Sequence, residues 1–355
     1  MTAGWVPEVD PAGFTALLGS PGALETLSAA TGVPVLVVDL TGPPEPGGAG
    51  SLAALADVVA ALPCVIVGVA RGPVPPAVAP LAATLDVVLA TTEVTLPGVV
   101  VPAHLDGALD RLVATIGAAP LAATAVALLL RGAERRGIGE GLVAESATYS
   151  ALQEGPEFRR WRGSRPILGP EPEPGPVVRG VRGDGIVHLT LARPHRHNAF
   201  STAMRDQLVE WLNLALAEPG LRVVIDAEGP SFCSGGDLDE FGSRDDPASA
   251  HVVRLTRSAG LLLSRLADRT EVRVHGACLG AGVELPAFSS RVVARPDAFF
   301  GLPEVGLGLV PGAGGTVSLP RRIGRQRTAW LALSGDRLDA VTALRWGLID
   351  EVTTV

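Results

Sequence analysis

A proline-rich segment near the middle of the chain restricts the folds that are open to it. Proline stands at every second position from Pro170 to Pro176. Proline fixes its own φ angle and has no backbone N–H, so the segment can form neither a helix nor a central strand. We predict a stiff, extended linker over residues 166–178, between a domain of residues 1–165 and a domain of residues 179–355. Two domains also agree with a length of 355 residues.

The residues after the linker alternate between strand and helix patterns. Buried strands are predicted over residues 186–191, 221–227 and 271–274, from runs of β-branched and other apolar residues. One helix is predicted to begin after Ser201, a suitable N-cap residue, and another to cover residues 254–266. This order implies βαβ units and a mostly parallel sheet, so the predicted fold class is α/β.

Composition excludes several classes of protein. The net charge of −8 disfavours a nucleic-acid partner. Residues 122–130 form an apolar stretch that is too short to cross a membrane, so we expect no membrane partner. Residues 1–5 lack the start of a signal peptide. The odd number of scattered cysteines, Cys64, Cys233 and Cys278, fits a reducing cytoplasm better than a disulfide framework.

All 29 basic residues are arginine, because the chain contains no lysine. Any anion in a binding site must therefore be held by arginine, by histidine or by backbone N–H groups. No cluster of histidine, cysteine and carboxylate residues has the spacing of metal ligands, so no metal is expected.

Two glutamates beside glycine-rich turns are the strongest candidates for chemistry. Glu284 closes the run of residues 275–284, and Glu304 is followed by the glycine-rich residues 311–316. A third glycine-containing block, residues 232–238, lies upstream. Together these blocks predict two carboxylates that face a pocket with walls of bare backbone. Such a pocket suits acid/base catalysis beside a polarised carbonyl group.

These blocks, in this order, resemble the crotonase superfamily, the enoyl-CoA hydratase/isomerase group, over residues 179–352. Further carriers of the resemblance are Arg193-Pro194, Asn198-Ala199 and the tail of residues 343–352. The resemblance implies a crotonase-type spiral of ββα units. It also implies a homo-oligomer, such as a trimer, that acts on acyl-CoA thioesters in fatty acid metabolism. No cofactor is implied other than the coenzyme A of the substrate.

The resemblance assigns roles to individual residues. It makes the N–H groups of Gly236 and Ala281 an oxyanion hole for the thioester oxygen. Glu284 would mainly activate water and Glu304 would mainly deliver the proton to C2, which makes the protein an enoyl-CoA hydratase. The residues implied to bind substrate are Ser234, Gly235, Asp237, Leu238, Gly280, Gly282, Pro303 and Gly312.

Three other functions remain open. Relatives that only shift double bonds usually keep a glutamate at the Glu304 position and lose the other one, so an isomerase is one alternative. Family members continue well beyond the residue that matches Val355, which leaves a non-catalytic acyl-CoA-binding or scaffold subunit. Residues 276–280 also match a nucleophile elbow with Cys278 in place of serine, and His251 or His275 as base would make a cysteine hydrolase.

The first half of the chain repeats part of the second. Residues 63–72 resemble the strand that leads into Gly276, and at that offset Pro80 and Val100 stand opposite Glu284 and Glu304. We therefore predict a degenerate crotonase-like copy that has lost the catalytic residues.

The end of the first half resembles the C-terminal helices of the family. The resemblance begins at residues 118–125 and runs to Arg162. We expect helices from residues 108–165 to cover the site of the second half, in cis or from a neighbouring subunit. The arginines that could then meet the phosphates of coenzyme A are Arg159, Arg160, Arg162 and Arg165.

Overall fold

A computed structural model describes residues 6–42, 56–93, 95–96, 98–166, 172–243 and 246–354 of the chain. Residues 1–5, on which the absence of a signal peptide was judged, lie outside the described residues, as do residues 167–171 of the predicted linker.

The strands of the described residues are short, between two and six residues each. In chain order they are β1 (Glu8–Val9), β2 (Val35–Asp39), β3 (Val65–Ala70), β4 (Val87–Ala90), β5 (Val178–Gly183), β6 (Ile186–Leu191), β7 (Arg222–Ala227), β8 (Thr270–Val274), β9 (Ala277–Leu279), β10 (Arg291–Ala294), β11 (Phe299–Gly301), β12 (Leu338–Asp339) and β13 (Glu351–Val352).

The α-helices lie between these strands, and the longest run of helices lies between β4 and β5. In chain order they are α1 (Pro11–Leu18), α2 (Ala23–Thr26), α3 (Ala79–Ala82), α4 (Leu105–Ala118), α5 (Pro120–Arg131), α6 (Ile138–Gln153), α7 (Pro156–Gly163), α8 (Thr202–Ala217), α9 (Pro247–Thr256), α10 (Ala259–Arg265), α11 (Ala281–Glu284), α12 (Gly315–Ile323), α13 (Arg325–Ser334) and α14 (Ala340–Trp346).

The chain forms two compact units whose boundaries differ from the predicted domains. One unit contains residues 1–135 and 324–335, and the other contains residues 136–323 and 336–355. Helices α6 and α7 belong to the second unit, although they precede the proline-rich segment. Helix α13 joins the first unit, where it packs against α4 and α5. Proline is a local signal, and it does not reveal against which core the helices on either side of it pack.

The first unit contains a four-stranded sheet in the order β1-β2-β3-β4. Its strand pairs are all parallel. Every residue of β3 and β4 is buried, as the continuous apolar sequence of these strands requires for a sheet covered on both faces. Among the described residues no single helix is long and apolar enough to span a membrane. Taken together, α4 and α5 have the length and apolar composition of a membrane span, but the pair is bent by 107°.

A buried ion pair connects helix and sheet in the first unit. The side chains of Arg131 on α5 and Asp86 before β4 are 3% and 1% exposed. Arg131 donates to both carboxylate oxygens of Asp86, at 2.8 Å from Nε and 2.6 Å from Nη2. Its remaining N–H groups donate to the carbonyl oxygens of Val59, Leu62 and Cys64. All five donors of this guanidinium are therefore satisfied.

Arg131→Met is expected to destabilise the protein by about 3–5 kcal/mol, because it leaves the Asp86 carboxylate buried without its partner. Urea unfolding of the full chain measures the change. Arg182→Met is the matched control, since the Arg182–Glu218 pair is exposed and is expected to contribute less than about 1 kcal/mol. Equal stabilities of the two variants would contradict a structural role for the buried pair.

The second unit contains a six-stranded sheet in the order β13-β10-β8-β7-β6-β5. Only the β5–β6 pair is antiparallel, which confirms the predicted, mostly parallel sheet. A small second sheet has the order β12-β11-β9. Consecutive strands thus divide between the sheets: β8 and β10 lie in the large sheet, and β9 and β11 in the small one.

Of two helices predicted in the second unit, one is confirmed and the other is wrong. Helix α8 begins after Ser201, whose hydroxyl accepts a hydrogen bond from Met204 N at 3.2 Å, as predicted. The single helix predicted over residues 254–266 is wrong. The structure has α9 and α10 there, and Ser258 caps the second by accepting from Leu261 N at 3.2 Å. A hydroxyl that caps a new helix competes with continuation of the old one.

Candidate active site

Glu284 lies at the end of the short helix α11, directly after strand β9 and the turn at Gly280. Gly280 has a φ of +49°, and a Cβ atom there would lie 2.4 Å from Oε1 of Glu304. A side chain at this position would therefore displace the carboxyl group of Glu304. The glycine turn brings the two predicted glutamates into one site.

The carboxyl group of Glu284 is fully enclosed, since the residue is 1% exposed. Its Oε2 accepts hydrogen bonds from Ala313 N at 2.8 Å and Gly315 N at 2.7 Å. Burial raises the pKa of Glu284 to about 7, and the backbone N–H groups oppose this rise because they stabilise the charged form.

Glu304 begins the 3₁₀ turn that follows β11, and it is 7% exposed. Its Oε2 is buried and has no hydrogen-bond partner among the described residues. Burial is the main cause that raises the pKa of Glu304 well above its usual value, and the charges of Glu284 and Glu145 add to it. Burial therefore favours the neutral, protonated form of the Glu304 carboxyl.

Glu145 on α6 is a third carboxyl group of the site, and sequence analysis missed it. It is 2% exposed and accepts from Gly314 N at 2.7 Å, Thr316 N at 2.8 Å and Thr316 Oγ1 at 2.7 Å. Burial, followed by the charge of Glu284, raises the pKa of Glu145 to about 8. Burial therefore raises the pKa of all three carboxyl groups, and their titrations are coupled.

The two predicted oxyanion donors, Gly236 and Ala281, line one cavity of about 230 Å³. Phe200 N donates to Gly235 O at 2.7 Å and Asp237 N donates to Phe200 O at 3.2 Å, which fixes the loop on both sides of Gly236. Within the described part of the chain, neither Gly236 N–H nor Ala281 N–H donates to any group. Two residues with uncommitted N–H groups therefore line the same cavity as the glutamates.

The cavity brings together half of the predicted site residues. Its lining includes Gly236, Asp237, Ala281, Glu284, Glu304 and Gly312. A cavity with bare N–H donors and partly protonated carboxyls can stabilise a developing oxyanion and move protons beside it.

Comparison with known proteins agrees with this chemistry. The sequence profile described as enoyl-CoA hydratase/isomerase matches residues 182–355. The chain is 37% identical over 181 residues to an enoyl-CoA isomerase/hydratase of Mycosarcoma maydis, covering 47% of this chain and 65% of the relative. It is 37% identical over 172 residues to the 2,3-dehydroadipyl-CoA hydratase of Escherichia coli, covering 48% of this chain and 67% of the relative. The chain belongs to the enoyl-CoA hydratase/isomerase family.

A crystal structure of an enoyl-CoA hydratase from Thermoplasma volcanium is also similar, with 32% identity and a TM-score of 0.47. The similar region covers 51% of this chain and 73% of that one. The match thus spans about two thirds of the length of the curated relatives, 65% and 67% for the two above. The predicted membership of the crotonase family is confirmed by the profile and by the curated relatives. The predicted α/β class is confirmed by the parallel sheets and helices of the described residues.

The other predicted site residues of this family member do not line the cavity: Ser234, Gly235, Leu238, Gly280, Gly282 and Pro303. Gly282 lies against the Cys233 carbonyl, which a Cβ atom would approach to 2.3 Å. Asp237 does line the cavity, and its Oδ2 accepts from Nη1 of the buried Arg193 at 2.5 Å. Gly282 thus allows a close approach of two backbone segments, and Asp237 forms a buried ion pair with Arg193.

The geometry at Cys278 contradicts the alternative of a cysteine hydrolase. Cys278 is the central residue of β9 rather than the residue at a helix N-terminus, and it is completely buried. Burial raises the pKa of its thiol well above the usual value, so the thiolate is disfavoured. His275 bonds to Gly229 O at 2.9 Å and His251 to Ser146 Oγ at 2.9 Å, so each candidate base is engaged elsewhere.

Helix α6 covers the site of this enzyme family within the same unit. Leu142, Glu145, Ser146, Tyr149 and Gln153 line the cavity from one face of the helix. The expectation of a covering helix in cis therefore holds for α6. Helices α4 and α5, which the expectation included, belong to the first unit.

The four arginines proposed for the phosphates of coenzyme A lie around α7. Arg159 pairs with Glu154, and Arg165 lies 5.5 Å from the ring centre of Trp161. Arg162 is buried and donates from Nη1 to Pro166 O at 3.2 Å, and its Nε and Nη2 have no partner among the described residues. None of the four, Arg160 included, lines the cavity.

Proposed function

We propose that this protein is an enoyl-CoA hydratase, which adds water to a 2-enoyl-CoA thioester. The observation that supports this most directly is the position of two uncommitted backbone donors, Gly236 N–H and Ala281 N–H, beside buried carboxyl groups in one cavity. In this proposal both N–H groups donate to the thioester oxygen. Removal of one such donor typically costs on the order of 100- to 1000-fold in rate.

The pKa order of the glutamates supports a division of roles. Two backbone N–H groups stabilise the charged form of Glu284, so it accepts the proton of the attacking water while the water oxygen bonds to C3. The electron pair of the double bond moves onto the thioester oxygen and forms an enolate. Glu304, whose pKa burial raises well above the usual value, then gives its proton to C2. Proton exchange between the carboxyls restores the starting state.

Isomerisation of the double bond is the second candidate. The relative from Mycosarcoma maydis is named for both reactions, and an isomerase would use the same oxyanion donors. Glu284 favours hydration, because a proton shift along the acyl chain needs only one carboxyl group. A non-catalytic acyl-CoA-binding subunit would have no need to keep several buried carboxyls, whose burial is costly.

Crotonyl-CoA tests the proposal directly. Loss of its enoyl absorbance, together with a mass gain of one water, is expected for the native chain and not for Glu304→Gln. Conversion of a 3-enoyl-CoA to its 2-enoyl isomer without hydration would support the isomerase. Binding of both thioesters without turnover would support the scaffold subunit.

We further propose that the first unit derives from a degenerate copy of the second. The parallel order β2-β3-β4 corresponds to β7-β8-β10, which supports this origin. Pro80 and Val100 then replace the two glutamates, so the chain has one active site. The proposal also includes a homo-oligomer in the cytoplasm, a place in fatty acid metabolism, and no cofactor beyond the coenzyme A of the substrate.

A further inference from the structure

Arg254 on α9 lines the same cavity, and part of its guanidinium group has no hydrogen-bond acceptor among the described residues. Its Nε donates to Ser146 Oγ at 2.9 Å, and its Nη2 donates to Ser146 O at 3.2 Å and to Ser150 Oγ. Its Nη1 donates to no group among the described residues. The guanidinium lies 4.8 Å from the ring centre of Tyr149, so contacts to α6 hold it in one orientation.

No carboxylate of the described residues forms an ion pair with Arg254. By contrast, the buried guanidiniums of Arg131 and Arg193 pair with Asp86 and Asp237. Partial burial lowers the pKa of Arg254; Tyr149 and Glu145 oppose this and the charge of Arg205 adds to it. The net direction is downward, so the positive charge of Arg254 has a free-energy cost there. An anion in the cavity would offset that cost.

Tyr149 connects Arg254 with the loop that holds Glu284. The ring of Tyr149 touches Gly312, where a Cβ atom would be 2.7 Å from the ring. Gly312 is followed by Ala313, whose N–H holds Glu284. Tyr149 therefore packs against both Arg254 and the turn that holds Glu284. Apolar side chains of Leu142, Ala250, Val253 and Leu255 also line the cavity.

We propose that the acyl chain of the substrate ends in a carboxylate and that Arg254 binds this carboxylate. The thioester oxygen at Gly236 and Ala281 fixes one end of the acyl group, and the Nη1 donors of Arg254 receive the other. The inference rests on the proposed function, because it requires that the cavity hold an acyl-CoA. A phosphate of coenzyme A is the other anion that could reach Arg254, and the experiment separates the two sources.

Binding of saturated acyl-CoA thioesters to the full chain tests the inference without turnover. Adipyl-CoA, which ends in a carboxylate, is compared by calorimetry with hexanoyl-CoA, which has the same length and ends in a methyl group. A charge-assisted hydrogen bond in a partly buried site corresponds to a preference for adipyl-CoA of about 10- to 100-fold. Succinyl-CoA and suberyl-CoA, each against its methyl-ended counterpart, extend the comparison to shorter and longer chains.

Arg254→Met is expected to abolish the preference and to change the affinity for hexanoyl-CoA by no more than about threefold. Arg257→Met is the matched control, because Arg257 lines the same cavity but is 42% exposed and lies 4.0 Å from Glu210. This control is expected to keep the preference.

Two results would overturn the inference. One is a native chain that binds the carboxylate-ended and methyl-ended thioesters equally well at all three lengths. This result does not depend on whether any variant folds. The other is an Arg254→Met protein that folds and loses affinity equally for both thioesters, which would place a coenzyme A phosphate at Arg254. A carboxylate preference in a chain that does not hydrate crotonyl-CoA would refute the proposed hydration alone, and hydration without the preference would refute this inference alone.

Discussion

Glu284→Gln is expected to lower kcat for hydration of crotonyl-CoA by on the order of 1000-fold, with little change in the affinity for acyl-CoA. Glutamine can still accept from Ala313 N and Gly315 N, so the turn is retained while the base is lost. Glu304→Gln is expected to have an effect of similar size, because it removes the proton donor. Steady-state hydration assays measure kcat, and calorimetry measures the affinity for acyl-CoA.

Glu240→Gln provides the matched control for both variants. Glu240 also lines the cavity, but its Oε2 accepts from Thr202 N and Thr202 Oγ1, each at 2.8 Å. Its replacement is expected to change kcat less than about threefold. Native rates in Glu284→Gln or in Glu304→Gln would remove that residue from the mechanism.

The same roles predict the pH dependence of the reaction. The pKa of Glu284 is about 7, so the ionised base forms as the pH rises through 7 and the rate increases. Glu304 must stay protonated, and burial raises its pKa well above the usual value, so the rate falls again at higher pH, where Glu304 loses its proton. Glu145→Gln removes a like charge that raises the pKa of Glu304, so it is expected to move the alkaline limb of the profile to lower pH. A rate that is constant from pH 5 to 9 would exclude these assignments.

A shortened chain of residues 177–355 is expected to give no soluble, active protein. It lacks α6 and α7, and with them Glu145 and the lining supplied by Leu142 and Tyr149. The amide groups of Gly314 and Thr316 lose their acceptor, and the apolar edge of the cavity becomes exposed. Solubility, circular dichroism and hydration rate measure the outcome. A folded chain as active as the native one would show that α6 does not complete the site.

A point variant of the full chain separates the role of α6 from the loss of the first unit. A Cβ atom on Gly141 would lie 2.8 Å from Cγ2 of Val317, so Gly141→Val drives α6 away from α12. Overpacking of this kind costs about 1–3 kcal/mol, and displacement of Glu145 is expected to lower kcat at least tenfold. Gly139→Ala on the same helix meets nothing within 4 Å and is expected to be neutral or slightly stabilising. Equal activity of the two variants would contradict the role given to α6.

Local sequence blocks were sufficient to predict the two glutamates and the two oxyanion donors, because each block contains both its turn and its functional residue. Glu145 was not predicted because it lies on an ordinary helix. The residues whose N–H groups donate to it, Gly314 and Thr316, are far away along the chain. A weak signal was available: Leu142, Glu145 and Tyr149 recur at helical spacing, which places a carboxylate on an otherwise covered face.

The pKa values of the site residues could not be predicted from the sequence, for a physical reason. A pKa depends on burial and on neighbouring charges in three dimensions, and both are set here by packing of α6 against α12. The boundaries of the two units could not be predicted for a related reason. Nothing in the local sequence of residues 324–335 shows that they complete the first unit rather than the second.

The assignment of α13 to the first unit has a consequence for the order in which this protein can fold during synthesis. Trp330 and Leu331 are buried, and Arg325 donates to Leu85 O at 2.9 Å, across 240 residues of chain. N-terminal domains generally fold first as they leave the ribosome. Here the N-terminal unit must wait, with part of its apolar surface open, until nearly the whole chain has been translated. Nascent chains stalled before residue 324 are therefore expected to be sensitive to protease in this unit and to bind chaperones.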